Sequence, residues 1–149
     1  MAVDKGEEYA STNGWGRERH YAVPTTDLQC YKVPEILEWL NGALRERIFP
    51  ALHEVFGGLL KGRRLRVFDA FLVKYDYSEG QRRLPLHNDQ SLISLTIAMN
   101  EEKDFGGGGT WFYETGEVSL GERGEGWCLE KRKQKQIPPC LVSSAHTHN

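Results

Sequence analysis

The sequence predicts an α+β chain whose second half is mainly β: helices come first, then antiparallel strands joined by short turns. Three observations carry that reading. An apolar residue recurs at every fourth position from Ile36 to Leu52. Aromatic and β-branched residues crowd positions 65–75. A strict alternation of apolar and small polar residues runs through 91–99. The chain has 149 residues, close to the commonest size of a single domain.

Residues 1–30 are polar and turn-rich, ending in Val23-Pro24-Thr25-Thr26-Asp27, and read as an irregular arm. The helical region follows. Ile36, Leu40, Leu44, Ile48 and Leu52 form an apolar stripe. Pro34 suits a first helical turn. Pro50 should interrupt the run, because it lacks an N–H and its ring meets the carbonyl four residues back. The expectation is one helix over 34–48 and a short second one over 51–56, stopped by Gly57-Gly58. The stretch 65–75 reads as a long strand. A polar loop surrounds Gly80. In 91–99, Ile93, Leu95, Ile97 and Met99 point one way while Ser94, Thr96 and Ala98 point the other. A charged turn, 100–104, and four consecutive glycines, 106–109, lead to a third strand at 110–113. The last 29 residues hold only four Leu, Ile, Val or Phe, too few to bury a core, and 119–149 is expected to be disordered.

Composition excludes several classes. Nineteen basic against 21 acidic residues give a net charge of −2, so no basic excess points to nucleic acid. No apolar run reaches the ~18 residues of a membrane helix, and the first residues lack a secretory apolar stretch. Three scattered cysteines make no disulfide framework, so an intracellular, cytoplasmic protein is expected.

The sharpest chemical signal is Leu86-His87-Asn88-Asp89. His87 and Asp89 are two positions apart, so on an extended backbone they project to one side. An imidazole and a carboxylate on one face are two legs of a 2-His-1-carboxylate iron site, which leaves open positions on Fe(II). A surface ion pair would use the same two residues. The glycine run is no phosphate loop: no Lys-Ser/Thr follows it, and it precedes a strand rather than a helix. Cys128, Cys140, His146 and His148 do not have zinc-finger spacing. His20 and His53 read as structural or surface residues, and the basic run at 131–135 as solvated.

The order of pieces adds weight. Val73-Lys74-Tyr75-Asp76-Tyr77 and Gly80-Gln81 precede His87-Asn88-Asp89; Leu95-Thr96-Ile97-Ala98-Met99-Asn100 follows, then Gly106-Gly107-Gly108-Gly109-Thr110-Trp111-Phe112. This series resembles the 2-oxoglutarate/Fe(II)-dependent dioxygenases of prolyl 4-hydroxylase-like type, over residues 65–115. The resemblance implies a partial double-stranded β-helix (jelly roll) with N-terminal helices packed on it, occupying 31–118 as an incomplete domain. It implies Fe(II) held by His87, Asp89 and a distal histidine, for which the chain offers His146 or His148. It implies 2-oxoglutarate as cosubstrate, hydrogen-bonded by Tyr75 or Tyr77, ascorbate as reductant, and a protein side chain or small molecule as substrate.

Beyond Gly116 the family pattern stops, and no basic residue follows His148 to hold the far carboxylate of 2-oxoglutarate. The expectation is a truncated domain, from an alternative transcript or a gene-model error, without turnover of its own and self-associating through open sheet edges. The rival expectations are a non-catalytic jelly-roll binding or regulatory fragment and a cupin-like metal protein without 2-oxoglutarate.

Overall fold

The computed structural model describes residues 1–19, 23–76, 78, 83–104, 106, 109–113, 116–119, 126–130 and 133–137. The chain divides into two compact units. The first comprises Met1–Gly42 with Leu65–Gln90, and the second Ala43–Arg64 with the described residues from Ser91 onward.

In the first unit, helix α1 (Ala2–Asn13) stands where composition suggests an irregular arm. The difference has a physical cause. Its buried residues are Ala2 and Gly6, too small to print an apolar period on the sequence. A Cβ on Gly6 would lie 2.9 Å from Leu72 Cδ1, so a larger residue there would make the end of that side chain shift. Strand β1 (Asp27–Gln29) pairs antiparallel with β2 (Phe71–Val73), Leu28 facing Leu72. Flanking bonds from the Lys74 N–H to the Thr26 carbonyl and from the Cys30 N–H to the Ala70 carbonyl lengthen the ribbon. The expected strand over 65–75 therefore shrinks to the part with a partner. Helix α2 (Pro34–Ala43) follows a 3-10 turn at Cys30–Lys32. Leu28, Cys30, Val33 and Ile36 form the buried core, with Tyr9, Trp15, Leu40, Ala70 and Leu72 packed against it.

A polar network ties this unit together. Asp27 is buried, and its carboxylate accepts hydrogen bonds from Arg19 Nε at 2.9 Å and from the Thr25 hydroxyl. Arg19 also donates to Asp69 and lies over the Phe71 ring, 4.2 Å from its centroid. Burial works against the guanidinium charge, and the bonds to Asp69 and Asp27 outweigh it, so the Arg19 pKa rises.

Cys30 lies in the core, and burial, then the Asp69 charge, pushes its thiol pKa up. The unfolded thiol ionises first, at about pH 8.5. The stability tied to the neutral thiol is thus complete below that pH and falls as pH rises toward the folded pKa. Urea midpoints between pH 7 and 10 should fall less in Cys30→Ala than in the parent chain. Parallel pH profiles would refute this.

The second unit opens on a π-helical turn, Leu44–Ile48, that runs into α3 (Phe49–Leu60). The Phe49 N–H bonds the Leu44 carbonyl, five residues back. This register accommodates Pro50, which occupies the first turn of α3 and needs no helical donor there. The expected break at Pro50 is thus a change of helix type. Helix α3 continues through Gly57-Gly58 to Leu60, with non-helical angles at Phe56. It ends in a type II turn: Lys61 has φ −52° and ψ 117°, Gly62 has φ +72°, and the Arg63 N–H bonds the Leu60 carbonyl at 2.9 Å. Ile48, Ala51, Leu52, Phe56 and Leu60 are buried.

Strand β3 (Ile93–Ile97) realises the central part of the predicted alternating segment. It pairs antiparallel with β6 (Gly126–Glu130), which pairs with β7 (Lys133–Ile137), and β7 lies against α3. These two strands fall within the region expected to be disordered; paired backbone there needs few apolar residues. Strand β4 (Thr110–Phe112) pairs with β5 (Glu117–Ser119). Gly109, at φ +99°, supplies the left-handed turn before β4, which only glycine adopts freely. The described strands thus form three small antiparallel sheets.

Candidate functional site

The site is built on described loop residues 83–90, which lie between β2 and β3 in the sequence. Proline 85 sets it up: its fixed φ favours an extended approach, and its carbonyl accepts a hydrogen bond from His87 Nδ1 at 2.8 Å. A carbonyl only accepts, so Nδ1 carries a proton, and Nε2 is the ring nitrogen left to face Asp89 or a cation. Asp89 Oδ1 lies 3.3 Å from that Nε2. Both side chains stay open to solvent, at 34% and 43% exposure. The two-residue spacing therefore does bring imidazole and carboxylate together, although on a loop rather than a strand.

The geometry has a chemical consequence. Two electron-rich atoms 3.3 Å apart repel unless a proton or a cation stands between them. Two ligands held at right angles about 2.1 Å from a metal are themselves about 3 Å apart. Imidazole and carboxylate suit a first-row divalent ion, and a second ring nitrogen fixed by a carbonyl is the usual outer support of a metal-binding histidine. The donor pair fits such an ion. Among the described residues no third His, Cys, Asp or Glu joins it. His146 and His148 lie outside the described residues, as does Tyr77.

Tyr75 is described. It leaves 54% of its surface exposed, while atoms packed about the phenol push its pKa up. Its hydroxyl has no hydrogen-bond partner among the described residues. A groove of about 310 Å³ elsewhere on the same unit is lined by Glu7, Trp15, Arg17, Lys74 and Asp76, among others, and includes neither His87 nor Asp89. Sequence patterns missed the Pro85 carbonyl, because a backbone acceptor leaves no residue-type signature; the Leu84-Pro85-Leu86 run was its only trace.

No helix among the described residues is long and apolar enough to cross a membrane. No family model matches the chain, and no solved structure matches it. Among curated proteins, procollagen-lysine,2-oxoglutarate 5-dioxygenase 2 of Homo sapiens is 40% identical over 92 residues, 60% of this chain and 12% of the relative. The Mus musculus protein of the same name is 39% identical over the same shares. The chain thus spans about an eighth of the length of the curated relatives it matches. Over that stretch it is similar to a procollagen-lysine 2-oxoglutarate dioxygenase, which bears coarsely on the dioxygenase class and leaves the prolyl 4-hydroxylase-like type unaddressed.

Proposed function

We propose that the chain carries part of an Fe(II)- and 2-oxoglutarate-dependent hydroxylase domain of double-stranded β-helix type, with His87 and Asp89 as two of its iron ligands. The observation that carries the reading is the 3.3 Å gap between His87 Nε2 and Asp89 Oδ1, with Nδ1 already committed to Pro85. The similarity to procollagen-lysine dioxygenases supports the reaction class. It also favours a protein side chain, lysine before proline, as the group hydroxylated.

Iron with 2-oxoglutarate, when bound, would activate O2, one oxygen atom going into an aliphatic C–H bond and the other into succinate as 2-oxoglutarate loses CO2. The residues of the chain hold and orient. The Pro85 carbonyl holds the Nδ1 proton, so that Nε2 is the ring nitrogen that would ligate the metal. Asp89 brings a negative charge that offsets part of the metal charge. Tyr75 offers a phenolic donor that its raised pKa keeps protonated, suited to a carboxylate of the cosubstrate.

Anaerobic titration of the full chain tests this. Fe(II) should bind, and 2-oxoglutarate should bind only with iron present. Absence of 2-oxoglutarate binding to the iron-loaded chain would overturn the reading.

A further inference from the structure

The oxygenase reading leaves the groove of about 310 Å³ on the first unit without a task. Helix α1 forms one wall. Glu7 and Ala10 are three positions apart, so they share a face of that helix. Ala10 is small, and the space that a longer side chain would fill there stays open. Trp15 forms another wall and also packs against the buried core, which fixes its ring.

Charges of both signs meet beside this ring. Lys74 Nζ lies 5.5 Å from the Trp15 ring centroid and donates to Glu7 at 2.9 Å. Arg17 and Asp76 bring a second cation and a second carboxylate to the same lining. An ion pair that only ties a helix to a strand needs no hollow beside it. The Lys74 and Glu7 side chains stay 30% and 49% exposed, so a ligand that opens their pair gives up little. A ligand with one charge would meet two groups of its own sign. A ligand with both charges can answer all four.

We propose that this groove binds a free α-amino acid with an apolar side chain. Its carboxylate sits on Lys74 and Arg17, its ammonium on Glu7 and Asp76, and its side chain against Trp15. Charge-assisted hydrogen bonds then replace the exposed pair, and the indole covers apolar surface. The volume stands at the low end of the ~300–1,000 Å³ of small-molecule sites, which suits a single amino acid. The proposal goes beyond the oxygenase reading and needs neither iron nor 2-oxoglutarate.

Saturation-transfer NMR on the full chain in metal-free buffer tests it with L-leucine as the probe. Saturable binding is expected, with a Kd of about 1 mM or tighter. Leucine methyl ester and N-acetyl-leucine each lack one charge and should bind the parent at least about tenfold more weakly. Glu7→Gln should cost leucine a similar factor. Ala10→Leu, which fills the groove and suits a helix, should abolish binding. Lys103→Gln, which breaks an exposed pair with Glu101 in the second unit, should change affinity less than about twofold. Circular dichroism checks the fold of each variant. The proposal is overturned if the parent does not bind leucine, or if either blocked derivative binds as tightly as leucine. Trileucine or 2-oxoglutarate binding more tightly than leucine would overturn it too, as would a folded Ala10→Leu chain that binds like the parent.

Discussion

Replacing Asp27 with Ala should lower the stability of the chain by about 3 kcal/mol in urea denaturation. The carboxylate is buried at the start of β1 and receives both Arg19 and Thr25. Its loss strands a guanidinium whose Nη2 is already buried without a partner among the described residues. Arg19 keeps Asp69, which caps the cost below that of a fully orphaned charge. Asp27→Asn preserves the shape and should cost less. A double-mutant cycle with Arg19→Ala should give a coupling of about 1 kcal/mol or more. Additive effects within about 0.3 kcal/mol would mean that the ion pair does not hold the arm to the ribbon.

The second large effect concerns the metal. His87→Ala and Asp89→Ala should each weaken Fe(II) binding by more than about 100-fold, since each deletes one of the two donors that the described residues bring together, and even outer partners cost 10–100-fold. Neither side chain is buried, so both variants should melt within about 0.5 kcal/mol of the parent. This combination separates ligation from folding. Tyr75→Phe should leave the iron affinity unchanged and weaken 2-oxoglutarate binding to the loaded protein. Equal iron affinity in the parent and both ligand variants would reduce the pair to a surface ion pair.

Legibility in the sequence followed the size of the side chains involved. The stripe from Ile36 to Leu52 announced helix because large apolar residues repeat, and the alternation around Ile93–Ile97 announced a strand for the same reason. Helix α1 was silent, because it packs through Gly6 and Ala2. The π-helical turn was equally silent, since Pro50 reads as a break until a neighbouring turn widens to accept it. Residues 65–70 have strand composition, but strandedness needs a partner, and β1 offers only three paired positions. At the site, the spacing of His87 and Asp89 foretold their meeting, while the carbonyl that orients the ring could not be foretold from residue types.

The three-stranded sheet has a practical consequence for anyone preparing this protein. Its first strand, Ile-Ser-Leu-Thr-Ile, has no charge and no proline, and one of its two sides carries no strand among the described residues. Such a segment recruits its own kind whenever the chain is partly unfolded and crowded. Recovery from denaturant should therefore depend on how dilute the molecules are while they fold, more than on how stable they are afterwards.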